Sequence, residues 1–98
     1  MKRDDVLCIL AEHRDELQLQ FGVKSLALFG SVARDEATET SDVDLLVEFD
    51  RPIGLFHLIG TEQFIANLLG LSKVDLILRR ALLPELKMDI LAEAVHVL

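Results

Sequence analysis

Only one cysteine, Cys8, occurs in the 98 residues, which excludes an intrachain disulfide and a cysteine-rich zinc site. Basic residues are scarce: 10 Lys and Arg stand against 17 Asp and Glu, for a formal charge of −7. The overall positive field on which non-specific nucleic-acid binding relies is missing. No direct nucleic-acid contact is expected, and the acidity suits divalent cations instead. No apolar run approaches the ~18 residues needed to cross a bilayer. The N-terminus does not read as a signal peptide either, because Lys2-Arg3 is followed at once by Asp4-Asp5 and the apolar run Val6–Leu10 is short. A cytoplasmic protein without membrane association is the expectation. Repeats, low-complexity tracts and linker-like stretches are absent. So are the Gly-x-x-x-x-Gly-Lys and Gly-x-Gly-x-x-Gly patterns, which excludes those two kinds of phosphate binder.

What the chain has in excess is apolar. Hydrophobic residues make up 51%, above the ~45–50% of ordinary soluble chains even though glycine is not counted here, and the mean hydropathy is +0.36. The length predicts one domain over residues 1–98 with a single core. So small a core cannot hide this much apolar surface, which points to a partner interface.

Helical spacing of Val6, Ile9, Leu10 and Leu17, with acids at the start, predicts a helix that ends at Gly22. Lys24–Phe29 reads as a buried strand stopped by Gly30. The segment from Ser31 to Ala37 reads as a short helix entered through Gly30-Ser31, and Thr38–Ser41 as a loop. Asp42–Phe49 is a second strand and Leu55–Leu69, between Gly54 and Gly70, a helix. Val74–Leu78 is a third strand. Pro84-Glu85 opens a last helix with proline in the first turn, whose buried stripe is Leu86, Ile90, Leu91 and Ala94. The fold class is α/β or α+β: a small mixed sheet of about three strands with helices packed on it.

Asp42-x-Asp44 is one of two acid-x-acid pairs, and about three are expected by chance in so acidic a chain, so the pair alone says little. Its plain reading is a solvated strand start, with Asp42 capping a turn. Its position says more. Residues i and i+2 of a strand share a face, ~6.6 Å apart, while Val43, Leu45, Val47 and Phe49 point the other way into the core. A third acid, Asp75, sits inside an apolar strand, where an ionised carboxylate is costly unless paired or metal-bound. A partner such as Lys73, Arg79 or Arg80 would satisfy it. If the second and third strands are neighbours, Asp75 instead joins Asp42 and Asp44. Three clustered anions raise the pKa of at least one, and oxygen-only ligands select hard ions, magnesium or manganese. At Gly30-Ser31, a strand-to-helix junction, glycine permits close backbone approach and the amides favour a phosphate; a plain turn with Ser31 as N-cap is the alternative. A phosphate cradle twelve residues before a carboxylate pair, with a third carboxylate on the next strand, fits two-metal phosphoryl or nucleotidyl transfer.

Leu28-Phe29-Gly30-Ser31-Val32-Ala33-Arg34 followed by Ser41-Asp42-Val43-Asp44-Leu45-Leu46-Val47 resembles the minimal nucleotidyltransferase (MNT) family of the DNA polymerase β-like nucleotidyltransferases. The spacing Gly-Ser, ten residues, Asp-x-Asp matches that family, and Lys73–Leu76 resembles its third-carboxylate strand. The resemblance implies an antitoxin that transfers AMP from ATP, with magnesium, to a tyrosine hydroxyl of a HEPN-domain ribonuclease toxin bound as a hetero-oligomer. It also implies roles: Gly30 and Ser31 hold the ATP phosphates, Asp42 and Asp44 bind metal, and Asp75 binds metal and helps deprotonate the incoming hydroxyl. Arg34 either steadies a phosphate or pairs with Asp35 or Glu39. Cys8, His13, His57 and His96 lack ligand spacing and read as packing or surface residues. Arg79-Arg80 reads as a solvated strand end, or as a contact for an acidic partner or the ATP phosphates.

Overall fold

A computed structural model describes residues 2–34, 36 and 42–98. The first helix, α1 (Arg3–Glu12), has Asp4 and Asp5 in its first turn, where acids complement the helix dipole. The expected single helix up to Gly22 is interrupted at His13 and resumes as a wide π-helical turn, Glu16–Gln20, which still buries Leu17. Strand β1 (Val23–Phe29) runs into a short helix, α2 (Gly30–Ala33). The predicted loop Thr38–Ser41 lies outside the described residues. Strand β2 (Asp44–Phe49) leads to α3 (Leu55–Leu69), which ends where Gly70 turns left-handed, with φ +70°. Then follow β3 (Asp75–Leu78), a 3-10 turn (Arg79–Ala81), α4 (Pro84–Glu93) and β4 (Val95–His96).

Among the described residues, four strands form one mixed sheet in the order β3-β2-β1-β4. β1 is antiparallel to both β2 and β4, and β2 is parallel to β3, so α3 is the crossover that a parallel pair requires. The fourth strand corrects the expectation of about three. It is two residues long and pairs Ala27 with His96 and Leu28 with Val95. A pairing that short carries no alternation, so only the neighbouring edge of β1 turns it into a strand.

Alternation along the strands divides the apolar residues between two faces. Leu26, Leu28, Leu45 and Val47 meet Val6, Leu10, Leu17, Ile65 and Leu69 in the main core on the α1/α3 side. Ala27, Phe29 and Leu46 face the opposite way and pack with Ile77, Leu82, Ile90, Leu91 and Ala94 under α4. α4 itself contains no fully buried residue. Of its predicted stripe, Ile90, Leu91 and Ala94 pack on the sheet, while Leu86 is 49% exposed. The sheet therefore has one closed face and one that a single helix only partly covers.

Candidate active site

The strand register arranges the partly covered face in three rows. At one end, Phe29 pairs with Asp44 and Asp44 with Asp75. Next come Ala27, Leu46 and Ile77. The far row holds Ser25 and Glu48, with Arg79 alongside: Ser25 Oγ donates to Glu48 at 2.9 Å and Arg79 Nη1 donates at 3.1 Å. These contacts, Ser25 first, hold the Glu48 carboxyl below the usual range. The acidic row is thus separated from the ion-paired row by apolar side chains packed against α4.

Asp44 and Asp75 come together because β2 and β3 are parallel neighbours in this register. The Asp75 N–H donates to the Val43 carbonyl at 2.9 Å, which seats Asp75 beside the Asp42–Asp44 segment. Asp42 precedes β2 and is exposed. Burial, the most important cause, raises the pKa of Asp44. The negative charge of Asp75, a hydrogen bond from protonated Asp44 to Asp75, and the charge of Asp42 raise it further, while Arg34 opposes them. Lys73 Nζ also reaches Asp75 Oδ1 at 3.5 Å, a contact with an exposed lysine. Among the described residues no group of three or more His, Cys, Asp or Glu closes into a ready-made metal cage. The aspartates form an open, oxygen-only ledge, a donor set suited to hard divalent ions once further oxygens complete it.

Gly30 follows Phe29 at the acidic end of β1, with φ +79°. A Cβ placed there would collide with Asp44 Oδ2. Glycine is required twice, for the left-handed backbone and for the approach of the carboxylate. Helix α2 begins at Gly30 with Phe29 as its N-cap, so Ser31 is not a cap; it is half-buried within the first turn. Arg34 ends α2. Its Nε donates to Glu36 at 3.2 Å and its Nη1 to Glu93 at 2.9 Å. Of the partners expected for it, Asp35 and Glu39 lie outside the described residues.

Glu93 is the site neighbour that the sequence did not disclose. Its Oε1 accepts the Gly30 N–H at 3.2 Å while its Oε2 accepts Arg34. No local signal marks it, since it lies 63 residues from Gly30 and only the docking of α4 brings it near. Cys8 is exposed, and His57 Nε2 lies 2.6 Å from the Phe21 carbonyl, so both have surface or packing roles. Arg79 and Arg80, with Arg51 and Lys87, line a cavity of about 350 Å³ beside Glu48 and Phe49. Glu48 lies four positions along β2 from Asp44, ~13 Å at strand rise. This cavity therefore lies apart from Asp44 and Asp75, at the other end of this face.

This arrangement has relatives. The pattern of the nucleotidyltransferase domain family matches residues 10–97. Protein adenylyltransferase MntA of Thermococcus cleftensis is 39% identical over 94 residues, covering 96% of this chain and 94% of the relative. A provisionally named protein adenylyltransferase of Methanocaldococcus jannaschii is 47% identical over 74 residues, 76% of this chain and 74% of that one. A solved structure, provisionally named a minimal nucleotidyltransferase, superposes with a TM-score of 0.80 at 36% identity, over 97% of this chain and 95% of that chain. A toxin–antitoxin structure with AMP-PNP shares the fold at a TM-score of 0.71 and 20% identity, spanning 100% of this chain and 73% of that chain. With the family pattern spanning nearly the whole length, and relatives this similar over most of theirs, the chain belongs to the nucleotidyltransferase domain family, as a minimal nucleotidyltransferase.

Proposed function

We propose that this chain is a magnesium-dependent protein adenylyltransferase. It moves AMP from ATP to a hydroxyl, a tyrosine's by family resemblance, of a HEPN-type ribonuclease toxin, and so acts as that toxin's antitoxin. The observation that carries this reading is the acidic row: Asp44 and Asp75 are direct partners across parallel strands, with Asp42 at the strand entrance and Gly30 against Asp44. A glycine turn beside a ledge of carboxylates is the pairing that a metal–triphosphate complex would need, and this supports the reading. The relatives named protein adenylyltransferase support the reaction class, and the toxin–antitoxin neighbour with AMP-PNP supports the nucleotide and the kind of partner.

Asp42, Asp44 and Asp75 would hold two divalent ions, magnesium or manganese. When bound, such ions neutralise the triphosphate and lower the pKa of an attacking hydroxyl. Gly30, Ser31 and Arg34 grip the phosphates and orient the α-phosphorus toward the acceptor. The acceptor oxygen forms its bond to that phosphorus as the bond to the β-phosphate oxygen breaks, and pyrophosphate leaves. Asp75 takes the hydroxyl proton.

The acceptor arrives on another protein. Phe56 is 90% exposed and Met88 79%, and Leu55 and Leu83 are also open to solvent. Apolar side chains this exposed favour a docking partner. They equally favour an antitoxin that blocks its toxin by stoichiometric binding alone. Mass spectrometry of the toxin after incubation with this chain, ATP and magnesium separates the two readings. The expected result is an added adenylate, absent with Asp42→Ala plus Asp44→Ala. An inhibited but unmodified toxin would favour occlusion.

A further inference from the structure

Arg34 is held by two acids: Glu93 and Glu36 accept from its Nη1 and Nε. It follows the Gly30 turn that packs against Asp44, and the Asp44 carboxyl feels its positive charge. A guanidinium has five donors and pairs readily with carboxylates in a bidentate fork. Released from Glu93, it would find its next partners in the aspartates, where it would occupy the place of a cation. Glu93 also does what a simple surface ion pair does not. Through its second oxygen it accepts the N–H of Gly30, the residue that packs against Asp44. One half-buried carboxylate at the end of α4 thus ties together the glycine turn and the arginine at the mouth of the site.

We propose that Glu93 is a positioning residue: it fixes the Gly30 turn and turns the Arg34 guanidinium away from Asp42, Asp44 and Asp75, leaving those carboxylates free for divalent ions. This rests on the metal-binding reading above. It also gives α4 a task besides covering the sheet. An ion pair this open to solvent, with side chains 44% and 31% exposed, contributes little to stability. Its loss should therefore show in metal affinity more than in melting temperature.

The test is a titration of the full chain with Mn2+ in the presence of AMP-PNP, with free Mn2+ read by electron paramagnetic resonance. Outer-shell partners of metal ligands typically matter ~10–100-fold in affinity. Glu93→Ala should weaken Mn2+ binding by about tenfold or more. Glu93→Gln keeps an acceptor for Gly30 but loses the charge that holds Arg34, and should fall between wild type and Glu93→Ala. Removing the arginine as well, in Glu93→Ala/Arg34→Ala, should recover the share of the loss that the released Arg34 causes and leave a smaller loss, relative to Arg34→Ala, from the unanchored Gly30 turn. Glu93→Ala binding Mn2+ as wild type does, or a loss relative to Arg34→Ala as large as that of Glu93→Ala relative to wild type, overturns the role of Glu93. Wild type that takes up no Mn2+ overturns the metal-binding reading itself, a result distinct from either.

Discussion

Replacing Gly30 by alanine tests the close contact between the Gly30 turn and the Asp44 carboxylate. Two costs follow from the geometry. The backbone at φ +79° lies in the left-handed region, which costs an L-residue roughly 1–2 kcal/mol. The added Cβ also meets Asp44 Oδ2, so the carboxylate must move or the turn must open. For a domain of this size each kcal/mol shifts the melting temperature by ~4–8 °C. Backbone strain alone should lower the melting temperature by roughly 4–16 °C. The contact with Asp44 can be measured separately in a double-mutant cycle. In Gly30→Ala/Asp44→Ala the collision is gone and only the backbone cost remains, so the pair should be more stable than the sum of the singles by about 0.5 kcal/mol or more. Thermal melts of the four proteins in metal-free buffer give the answer. A Gly30→Ala protein that melts with wild type, or two substitutions that simply add, would refute the placement of Asp44 against the turn.

The acidic row makes the apo protein pH-sensitive in a definite direction. Asp44 binds its proton more tightly folded than unfolded, so its contribution to stability falls as pH rises from about 4, the unfolded value, through its raised folded pKa. Asp44→Asn removes that fall and should be the more stable protein at neutral pH, a gain that disappears in acid; denaturant melts at several pH values check this. Magnesium with ATP should reverse the ranking. At a hundred times the dissociation constant a ligand adds ~2.7 kcal/mol, or roughly 10–20 °C here, to wild type but not to Asp44→Asn, as read by thermal shift. Leu45→Ala, at a fully buried position between Asp44 and Leu46, should cost about 2–5 kcal/mol in chemical denaturation.

Much of this site could be read in the sequence because its signals are local. The alternation from Val43 to Phe49 sends Asp44 to the face opposite the core, and an acid in the apolar run of β3 is conspicuous for the desolvation it would suffer. Gly30-Ser31 marks a strand-to-helix turn. Other features depend on distant packing. That Asp44 pairs with Asp75 follows from the parallel register of β2 and β3, which no local pattern encodes. Glu93 resembles any acid at the end of an amphipathic helix until α4 docks beside Gly30. β4 is a strand only because β1 offers it an open edge. Leu86 fits the helical stripe of α4 yet stays exposed, because α4 meets the sheet through Ile90 and Leu91 and the following Ala94.

The account depends on Asp44 and Asp75 sharing divalent ions beside a nucleotide. Diffraction from crystals grown with Mn2+ and AMP-PNP, measured at the manganese absorption edge, addresses this most directly. The account predicts anomalous peaks between the carboxylates of Asp42, Asp44 and Asp75, with phosphate oxygens closing the shell near Gly30. Nucleotide bound elsewhere, with no manganese at these aspartates, would contradict it.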